Sequence, residues 1–447
     1  MDSLSMNPVR TICLGFMGVI GVGTLLLCLP FANVAGEWGS LLTALFMSTS
    51  AVCVTGLAVV DVGSYYTGIG QFILLLLVQI GGLGYMTANT FLLLLLGRRF
   101  GLKDKLALQQ SLDRPSLGGG SQLIRSIIAV TATLEILGVI LLSGTFVPEM
   151  GWDRGLWFAI FHSISAFNNA GFGLLTSNFI DYRSSFNVVG TLSLLIILGG
   201  IGYNVIMEAV FWLRDHWQRR LERVTFSLNT RIVLSSTTVL LLGGAVTYGL
   251  MEWGRPLIGT SWVERGLAIW FQSVTTRTAG FNTIDIGQLS TAALCLTIAL
   301  MFVGASPGGT GGGVKTTTIQ VLVSCTKAVL QGKEEVITFE RQIPMTLVLK
   351  AVGVVFGSLG VVATATMALA LIEQNLDFLQ LLFEVVSAFA TVGLSTGITA
   401  TLHPSSQFIL VITMYIGRVG ILTLMSALQK EATPSRIHYP EESFLVG

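Results

Sequence analysis

Four short stretches of the chain, each ending in glycine, have the composition and spacing to surround a dehydrated cation. Their glycines are separated by 115, 109 and 113 residues. The four stretches are Val54-Thr55-Gly56, Asn169-Ala170-Gly171, Thr278-Ala279-Gly280 and Thr391-Val392-Gly393. A period this regular over a whole chain indicates internal duplication.

The chemistry these stretches offer is coordination by backbone oxygen. A dehydrated cation needs oxygen ligands on all sides, and backbone carbonyls supply them when the chain is extended around it. Glycine takes backbone angles closed to other residues, so it can aim the neighbouring carbonyls. The side chains differ, since Asn169 stands where the first stretch has Val54, so the shared ligands must be carbonyl oxygens. The alternative is four ordinary turns that follow short helices.

The elements around the stretches also repeat. A helix needs about 20 residues to cross a ~30 Å hydrocarbon core. Each repeat reads as a full span, a half span, the glycine stretch and a second full span. The predicted segments are Thr11–Pro30, Leu41–Val52 and Thr67–Leu96; Ser126–Val147, Leu156–Phe167 and Asn187–Leu213; Ile232–Met251, Gly266–Thr276 and Gln288–Thr318; and Met345–Ile372, Leu376–Phe389 and Gln407–Leu428. We therefore predict an all-α integral membrane protein with four helix–pore helix–helix units around one pseudo-fourfold pore.

Composition supports the membrane class. The chain has 447 residues, of which 52% are hydrophobic and 11% are charged, whereas soluble domains carry about 25% charged residues. The five cysteines stand singly without CxxC spacing, so we expect neither a disulfide framework nor a metal site. No HExxH or paired-carboxylate motif is present, and we predict no enzyme activity, no cofactor in this chain and no nucleic-acid partner. Membrane lipid is the expected surrounding.

The basic residues predict the orientation and the repeat boundaries. Of the 25 lysines and arginines, 18 fall on one side of the predicted spans. The positive-inside rule then places both termini in the cytoplasm, so the half helices enter from outside. The predicted repeats are 1–96, 97–213, 214–333 and 334–429, and a cytoplasmic tail follows at 430–447.

The seventh predicted span is interrupted by helix-breaking residues. Glycine weakens a helix, and proline removes a donor and clashes with the preceding turn. We expect an unwound loop inside the membrane, and the alternative is a packing kink. A phosphate-binding loop is excluded because Val314 separates Gly313 from Lys315. The loop residues of interest are Gly304, Ser306, Pro307, Gly308, Gly309, Thr310, Gly311, Gly312 and Gly313.

Arg418 lies in the middle of the last predicted span. A charge at that depth is costly and usually marks an ion path. Facing the pore, Arg418 would form a barrier to cations below the glycine stretches. The alternative is a structural ion pair with a buried acid, for which Glu384 and Glu135 are the candidates.

Three charged residues near the glycine stretches have open roles. Asp61 and Asp285 each follow a glycine of the ring by five residues. They either concentrate cations at the outer mouth or are ordinary solvated carboxylates. We expect Arg277 to point behind its stretch and to brace it against an acid.

Glycine clusters also recur in the second span of each repeat. The first two are Gly81-Gly82-Leu83-Gly84 and Gly199-Gly200-Ile201-Gly202. Small residues allow helix backbones to approach closely. We interpret the first two clusters mainly as sites of tight packing.

Three motifs resemble the Trk/Ktr/HKT superfamily, and most of all the membrane subunits of Ktr potassium uptake systems. They are Thr275–Asn282, Ser306–Thr316 and Tyr439-Pro440-Glu441-Glu442, and the likeness extends over nearly the whole chain. The resemblance implies potassium uptake through a filter formed by the four stretches. It also implies that the loop from Gly304 to Gly313, with Arg418, forms an intramembrane gate.

The same resemblance implies the assembly and its regulation. It implies a homodimer in a prokaryotic inner membrane, with one pore per chain and a cytosolic nucleotide-binding ring of the KtrA type. Potassium would be the substrate ion, sodium would stimulate or couple to uptake, and any nucleotide would bind only to the ring. The alternative is a sodium-translocating member of the same superfamily. Some sodium-selective plant relatives, however, carry serine where this chain has Gly56.

Overall fold

The computed structural model describes residues 8–84, 120–218, 225–254, 261–421 and 424–425. Helices dominate these residues, with one short antiparallel hairpin, β1 (Ile337–Thr338) and β2 (Arg341–Gln342). The α-helices are α1 (Pro8–Cys28), α2 (Leu41–Val52), α3 (Val62–Tyr65), α4 (Gly68–Leu83), α5 (Gly120–Met150), α6 (Trp152–Phe167), α7 (Phe186–Ile201), α8 (Tyr203–Trp217), α9 (Leu228–Glu252), α10 (Trp262–Thr275), α11 (Thr291–Phe302), α12 (Thr316–Leu330), α13 (Met345–Ile372), α14 (Phe378–Phe389) and α15 (Pro404–Val419). The predicted tail 430–447 and the basic segment 97–119 lie outside the described residues.

The predicted fourfold repeat is confirmed. The first helices are α1, α5, α9 and α13, the pore helices are α2, α6, α10 and α14, and the second helices are α4, α7, α11 and α15. Within each repeat the first helix packs on its pore helix and on its second helix. The short pore helices end next to the glycine stretches, as the half spans predict.

Side-chain caps fix where the second helices begin. The Thr67 hydroxyl accepts the Gly70 N–H, and Ser185 and Ser290 cap α7 and α11 in the same way. Such caps satisfy an N–H group that has no partner within the helix. The third pore helix begins with a full capping box between Ser261 and Glu264.

Contacts between repeats close the four units into a ring. The second helix of each repeat packs on the pore helix of the next one: α4 on α6, α7 on α10, α11 on α14 and α15 on α2. Repeats 2 and 4 therefore lie opposite each other across the central axis, as do repeats 1 and 3.

The second helices are broken, which corrects part of the sequence-based prediction. The segment predicted as Asn187–Leu213 consists of α7 and α8, which meet at Gly202 with a bend of 103°. The last span also breaks, because α15 ends at Val419 and Gly420 has a φ of +85°. Gly84 takes the same conformation at the end of α4, and the predicted continuation to Leu96 lies outside the described residues. Helical angles are lost at these glycines, so one uninterrupted span was the wrong prediction for repeats 2 and 4.

The first helices of repeats 2 to 4 are long and unbroken. Among the described residues, Arg125–Met150, Leu228–Glu252 and Met345–Ile372 are each long and apolar enough to cross a membrane. Only about a third or less of each such stretch is buried within the protein. Their outward faces carry exposed apolar side chains such as Ile140, Val246 and Phe356, as expected of surfaces that face lipid.

Candidate cation filter and gate

The backbones of the four glycine stretches share one unusual conformation. The first residue of each stretch has a left-handed φ: +56° at Val54, +57° at Asn169, +68° at Thr278 and +52° at Thr391. The glycine two positions later is also left-handed in every stretch, with φ between +70° and +91°. Residues with a side chain rarely take such angles, so four non-glycine residues in matched positions indicate backbone strain that is common to all four repeats. Left-handed angles at alternate residues can direct successive carbonyls to one side, as a cation ligand set requires.

The four glycines touch one another in ring order. A Cβ built on Gly56 would lie 2.5 Å from the Ala170 oxygen, and one on Gly171 would lie 2.8 Å from the Ala279 oxygen. A Cβ on Gly280 would lie 2.5 Å from the Val392 oxygen, and one on Gly393 would lie 2.2 Å from the Thr55 oxygen. Each glycine thus meets the carbonyl just before the glycine of the next repeat. Glycine is required here by space as well as by φ.

A hydroxyl group supports each stretch from behind, and the sequence analysis missed it. Gly56 and Gly393 donate their N–H groups to Ser50 and Ser387, both at 3.1 Å. Ser165 donates to the Phe172 oxygen at 2.8 Å, and Thr275 donates to the Phe281 oxygen. We call Ser50, Ser165, Thr275 and Ser387 the hydroxyl layer. The signal in the sequence is a Ser or Thr six residues before the glycine, or five in repeat 3, and it is visible only once the repeats are aligned.

The glycine clusters allow the second helices to pack on the pore helices. A Cβ on Gly81 would lie 2.0 Å from the oxygen of Val52, and one on Gly199 would lie 1.9 Å from that of Phe167. Gly417 stands in the same relation to Phe389, at 1.7 Å. These partners are the last residues of their pore helices, so close packing fixes the carbonyl-bearing helix ends beside the glycine stretches. A helix C-terminus carries partial negative charge, which favours a cation nearby.

A vestibule of about 360 Å³ lies on the side of the ring formed by the residues that follow the glycines, and all four glycines line it. Asp61 and Asp285 also line it. Asp61 accepts hydrogen bonds from the Gly63 N–H at 3.1 Å and from Thr176 of the next repeat at 2.8 Å. Asp285 accepts from the Gly287 N–H at 3.0 Å. Both carboxylates therefore cap local turns while they border the mouth, so the two predicted roles are compatible.

Between α11 and α12 the chain is not helical from Val303 to Lys315, and this loop lies directly against the glycine stretches. The Gly312 N–H donates to Thr391 Oγ1 at 2.8 Å. A Cβ on Gly311 would lie 2.0 Å from Thr278 Oγ1. Thr278 and Thr391 are the first residues of their stretches, so the loop contacts two of the four.

The loop is an ordered structure in its own right. Gly304 N–H donates to the Val314 oxygen at 2.8 Å, which closes the base of the loop. Ser306 and Thr310 donate their N–H groups to the Gly200 and Gly199 oxygens, at 3.0 and 3.1 Å. The loop thus donates hydrogen bonds to two carbonyls at the end of α7. In a continuous helix these carbonyls would accept from the next helical turn. These contacts are more extensive than those of a simple packing kink.

Two cationic side chains hold the carbonyls of the loop. The Arg418 guanidinium donates from Nη1 to the Thr310 oxygen and from Nη2 to the Gly81 oxygen. Lys315 donates from Nζ to the Gly311 oxygen at 2.7 Å. Arg418 therefore joins the loop, α4 and α15, which belong to three different repeats.

Among the described residues, Arg418 forms no ion pair with either candidate acid. Glu135 instead accepts hydrogen bonds from Gln79 at 3.2 Å and from Asn168 at 3.1 Å. Glu384 accepts hydrogen bonds from residues in the loop after the fourth stretch.

The expected acidic brace for Arg277 is also not found. Arg277 is 7% exposed, and its Nε and Nη1 atoms have no hydrogen-bond partner among the described residues.

Comparison with known proteins identifies similar chains. The family model described as "TrkH: Cation transport protein" matches residues 23–436. The chain is 37% identical over 444 residues to "Ktr system potassium uptake protein B" of Bacillus subtilis, which covers 99% of this chain and 97% of that protein. It is 39% identical over 440 residues to the protein of the same name in Vibrio alginolyticus, which covers 98% of this chain and 94% of the relative.

Two further comparisons concern a differently named relative and a solved structure. The chain is 36% identical over 450 residues to "Potassium/sodium uptake protein NtpJ" of Enterococcus hirae, with 99% of this chain and 98% of the relative covered. The crystal structure of the potassium transporter TrkH from Vibrio parahaemolyticus matches with a TM-score of 0.74 over 96% of this chain and 86% of that one. At 18% sequence identity the structural match concerns the fold.

Proposed function

The chain belongs to the TrkH family of cation transport proteins, and from this premise we propose that it takes up potassium across the cell membrane. The observation that carries the proposal is the closed ring of four glycine stretches with matched left-handed backbones. The chain matches two relatives over nearly their whole length, and both are named as potassium uptake proteins. This supports potassium as the transported ion. These names describe transporters and not enzymes.

The proposed filter consists of the carbonyl groups of the four stretches. Three features support it: a ligand set contributed equally by four repeats, pore-helix ends directed towards it, and an acidic vestibule outside it. Carbonyls replace the hydration shell of an ion that enters such a ring.

The proposed gate consists of the loop from Gly304 to Gly313 together with Arg418. Its support is the direct contact of the loop with Thr278 and Thr391, combined with the clamp by Arg418 and Lys315. Opening requires these bonds to break and the loop to withdraw. A cytoplasmic partner could bring this about through α12, which continues directly from the loop.

The proposed assembly is a homodimer in the inner membrane with both termini in the cytoplasm and a nucleotide-binding ring beneath it. The support is the basic residues on one side of the spans and the description of two relatives as parts of a Ktr system. Sodium stimulation is part of the proposal. The name of the Enterococcus hirae relative favours sodium as a second transported ion, whereas glycine at all four filter positions favours potassium.

Reconstitution tests the proposal. Purified protein in liposomes should take up potassium faster than sodium, and the cytoplasmic partner with its nucleotide should change the rate. Empty liposomes are the control. Uptake of sodium without potassium would favour sodium as the transported ion. The absence of any cation uptake by folded protein would contradict the proposal.

A further inference from the structure

One helical turn before the hydroxyl layer, each pore helix carries a buried residue that the function described so far does not use. These residues stand three positions before the hydroxyl in every repeat, and each is at most 1% exposed. They are Met47, His162, Gln272 and Glu384. Three of the four are polar, which is unusual for a fully buried position in a membrane protein.

His162 supports the chain just outside the second stretch. Its Nε2 accepts the Leu174 N–H at 3.1 Å, and Leu174 is three residues after Gly171. Its Nδ1 lies 2.8 Å from the Phe158 oxygen, an acceptor, so Nδ1 carries the proton and the ring is neutral. The ring is held edge-on by Phe179 at a centroid distance of 4.9 Å. Both nitrogens and the ring plane are thereby fixed.

Glu384 makes the corresponding contact in the fourth repeat. It accepts the Thr396 N–H at 3.2 Å, and Thr396 is three residues after Gly393. Its carboxylate also accepts from Thr399 at 3.0 Å and from Ser395. Two chemically different side chains thus accept the same backbone N–H in two repeats.

The two supports lie on opposite sides of the ring. Repeats 2 and 4 are diagonal, because each second helix packs on the pore helix of the next repeat. In repeat 1 the equivalent Met47 cannot accept such a bond with comparable strength. In repeat 3 Gln272 makes no hydrogen bond to the described chain that follows Gly280. The outer ends of the stretches are therefore held by this layer in one diagonal pair only.

We propose that His162 and Glu384 are positioning residues that hold the chain outside Gly171 and Gly393 and thereby set the discrimination between potassium and sodium. The inference rests on the proposed function. The carbonyls of the ring can move closer to the smaller sodium ion only if the backbone segments that carry them move. A buried acceptor that fixes the N–H three residues further on resists that movement. Without the acceptor the N–H of Leu174, which is buried, or of Thr396, which is half-buried, loses its partner, and the segment can shift to find another.

Paired substitutions separate the hydrogen bond from simple packing. His162→Met copies repeat 1, and Glu384→Leu is apolar and similar in size, so both remove the acceptor. His162→Gln and Glu384→Gln keep an oxygen that can accept the bond. Ser163→Ala is the matched control, because Ser163 neighbours His162 but donates to the Glu135 oxygen on α5 at 2.7 Å and not to the filter.

The measurement is potassium uptake and its inhibition by sodium in liposomes, with KM and maximal rate for each ion. The acceptor-free variants should raise the sodium-to-potassium uptake ratio by about fivefold to tenfold, as expected for the loss of one buried hydrogen bond. The glutamine variants should restore most of the ratio, and Ser163→Ala should leave it unchanged. Thr399→Val removes only one donor to Glu384 and should give a smaller shift of the ratio in the same direction. This variant provides a test even if the acceptor-free variants do not fold.

Two results would overturn the inference. One is an unchanged sodium-to-potassium uptake ratio in the acceptor-free variants. If the acceptor-free variants do not fold, an unchanged ratio in Thr399→Val has the same meaning. The other is a shift as large in the glutamine variants as in the apolar ones. In both cases the proposed function still holds if the wild-type protein takes up potassium in the same assay. If the wild-type protein does not take up potassium, the proposed function is overturned as well.

Discussion

Gly56 has neither the backbone angles nor the space for a side chain. Its φ is +91°, and a Cβ would lie 2.5 Å from the Ala170 oxygen and 3.0 Å from the Gly171 Cα. Gly56→Ser should therefore push the first stretch away from the second, and left-handed strain adds about 1–2 kcal/mol. We predict that discrimination against sodium falls, measured as the ratio of potassium to sodium uptake. Gly36→Ser is a control outside the ring, since Gly36 also has a positive φ but no atom within 4 Å of its Cβ position. An unchanged ratio in Gly56→Ser would count against the filter assignment.

Arg418 is the second residue whose role can be isolated. Its two hydrogen bonds hold the loop against α4, and in the proposed gate its charge would oppose cations on that side of the proposed filter. We predict that Arg418→Ala raises potassium flux, whereas Arg418→Lys, which retains the charge without the planar fork, gives an intermediate flux. Uptake rates normalised to protein in the membrane provide the test. A lower flux in both variants, with folding intact, would show that Arg418 only supports the structure.

At the scale of elements, the loop between α11 and α12 is the part expected to move. It is tied to α7, to Thr391 of the fourth stretch and to Arg418 of α15 by individual hydrogen bonds. We predict that deletion of Gly308–Gly312 raises flux and makes it less dependent on the cytoplasmic partner. Flux with and without the partner measures both effects. Reduced uptake by a folded deletion variant that reaches the membrane would contradict the gating role.

The broken second helices allow a matched comparison of two glycines. Gly84 and Gly202 have φ values of +79° and +90°. Among the described residues, a Cβ on Gly84 meets no atom within 4 Å, whereas one on Gly202 would lie 2.8 Å from the Pro307 oxygen in the loop. Alanine at either position costs about 1–2 kcal/mol in backbone strain. We predict that only Gly202→Ala also changes flux, because only it displaces the loop. Equal flux in the two variants would show that the break at Gly202 does not act on the loop.

Periodicity and residue type were enough to predict the elements but not how they end. Half-length apolar segments before each glycine stretch predicted the pore helices, and Pro307 with its glycines predicted the unwound loop. The breaks at Gly202 and Gly420 could not be predicted with the same certainty, because an isolated glycine is tolerated within a helix at a cost of about 1 kcal/mol. Here the loop supplies partners for the carbonyls of Gly199 and Gly200, a contact made across repeats that no local pattern reveals.

At the scale of the whole molecule, the four repeats share a frame but differ in detail. The repeat period predicted the ring, and the order of packing closes it. The partners of Arg418, Glu135 and Glu384 could not be predicted, since sequence shows that a buried charge needs a partner but not which group is within reach. The third repeat also has one residue fewer between its hydroxyl and its glycine.

The assembly gives one prediction at this scale. The segment Phe444-Leu445-Val446 is too apolar for exposure to water and we propose that it docks on a second copy of the chain. Removal of residues 439–447 should weaken the dimer, as measured by mass in detergent. Phe444→Ser with Leu445→Ser keeps the length and should weaken it as well. A truncated protein that remains fully dimeric would contradict this role of the segment.

The central claim is that four backbone segments together bind the permeant ion. Crystals of the protein soaked in rubidium, which we expect to permeate as potassium does, test it most directly through anomalous scattering. The account predicts rubidium peaks on the axis enclosed by the carbonyls of Thr55, Ala170, Ala279 and Val392. Rubidium peaks only away from this axis, or no axial peak in crystals of protein that transports rubidium, would contradict it.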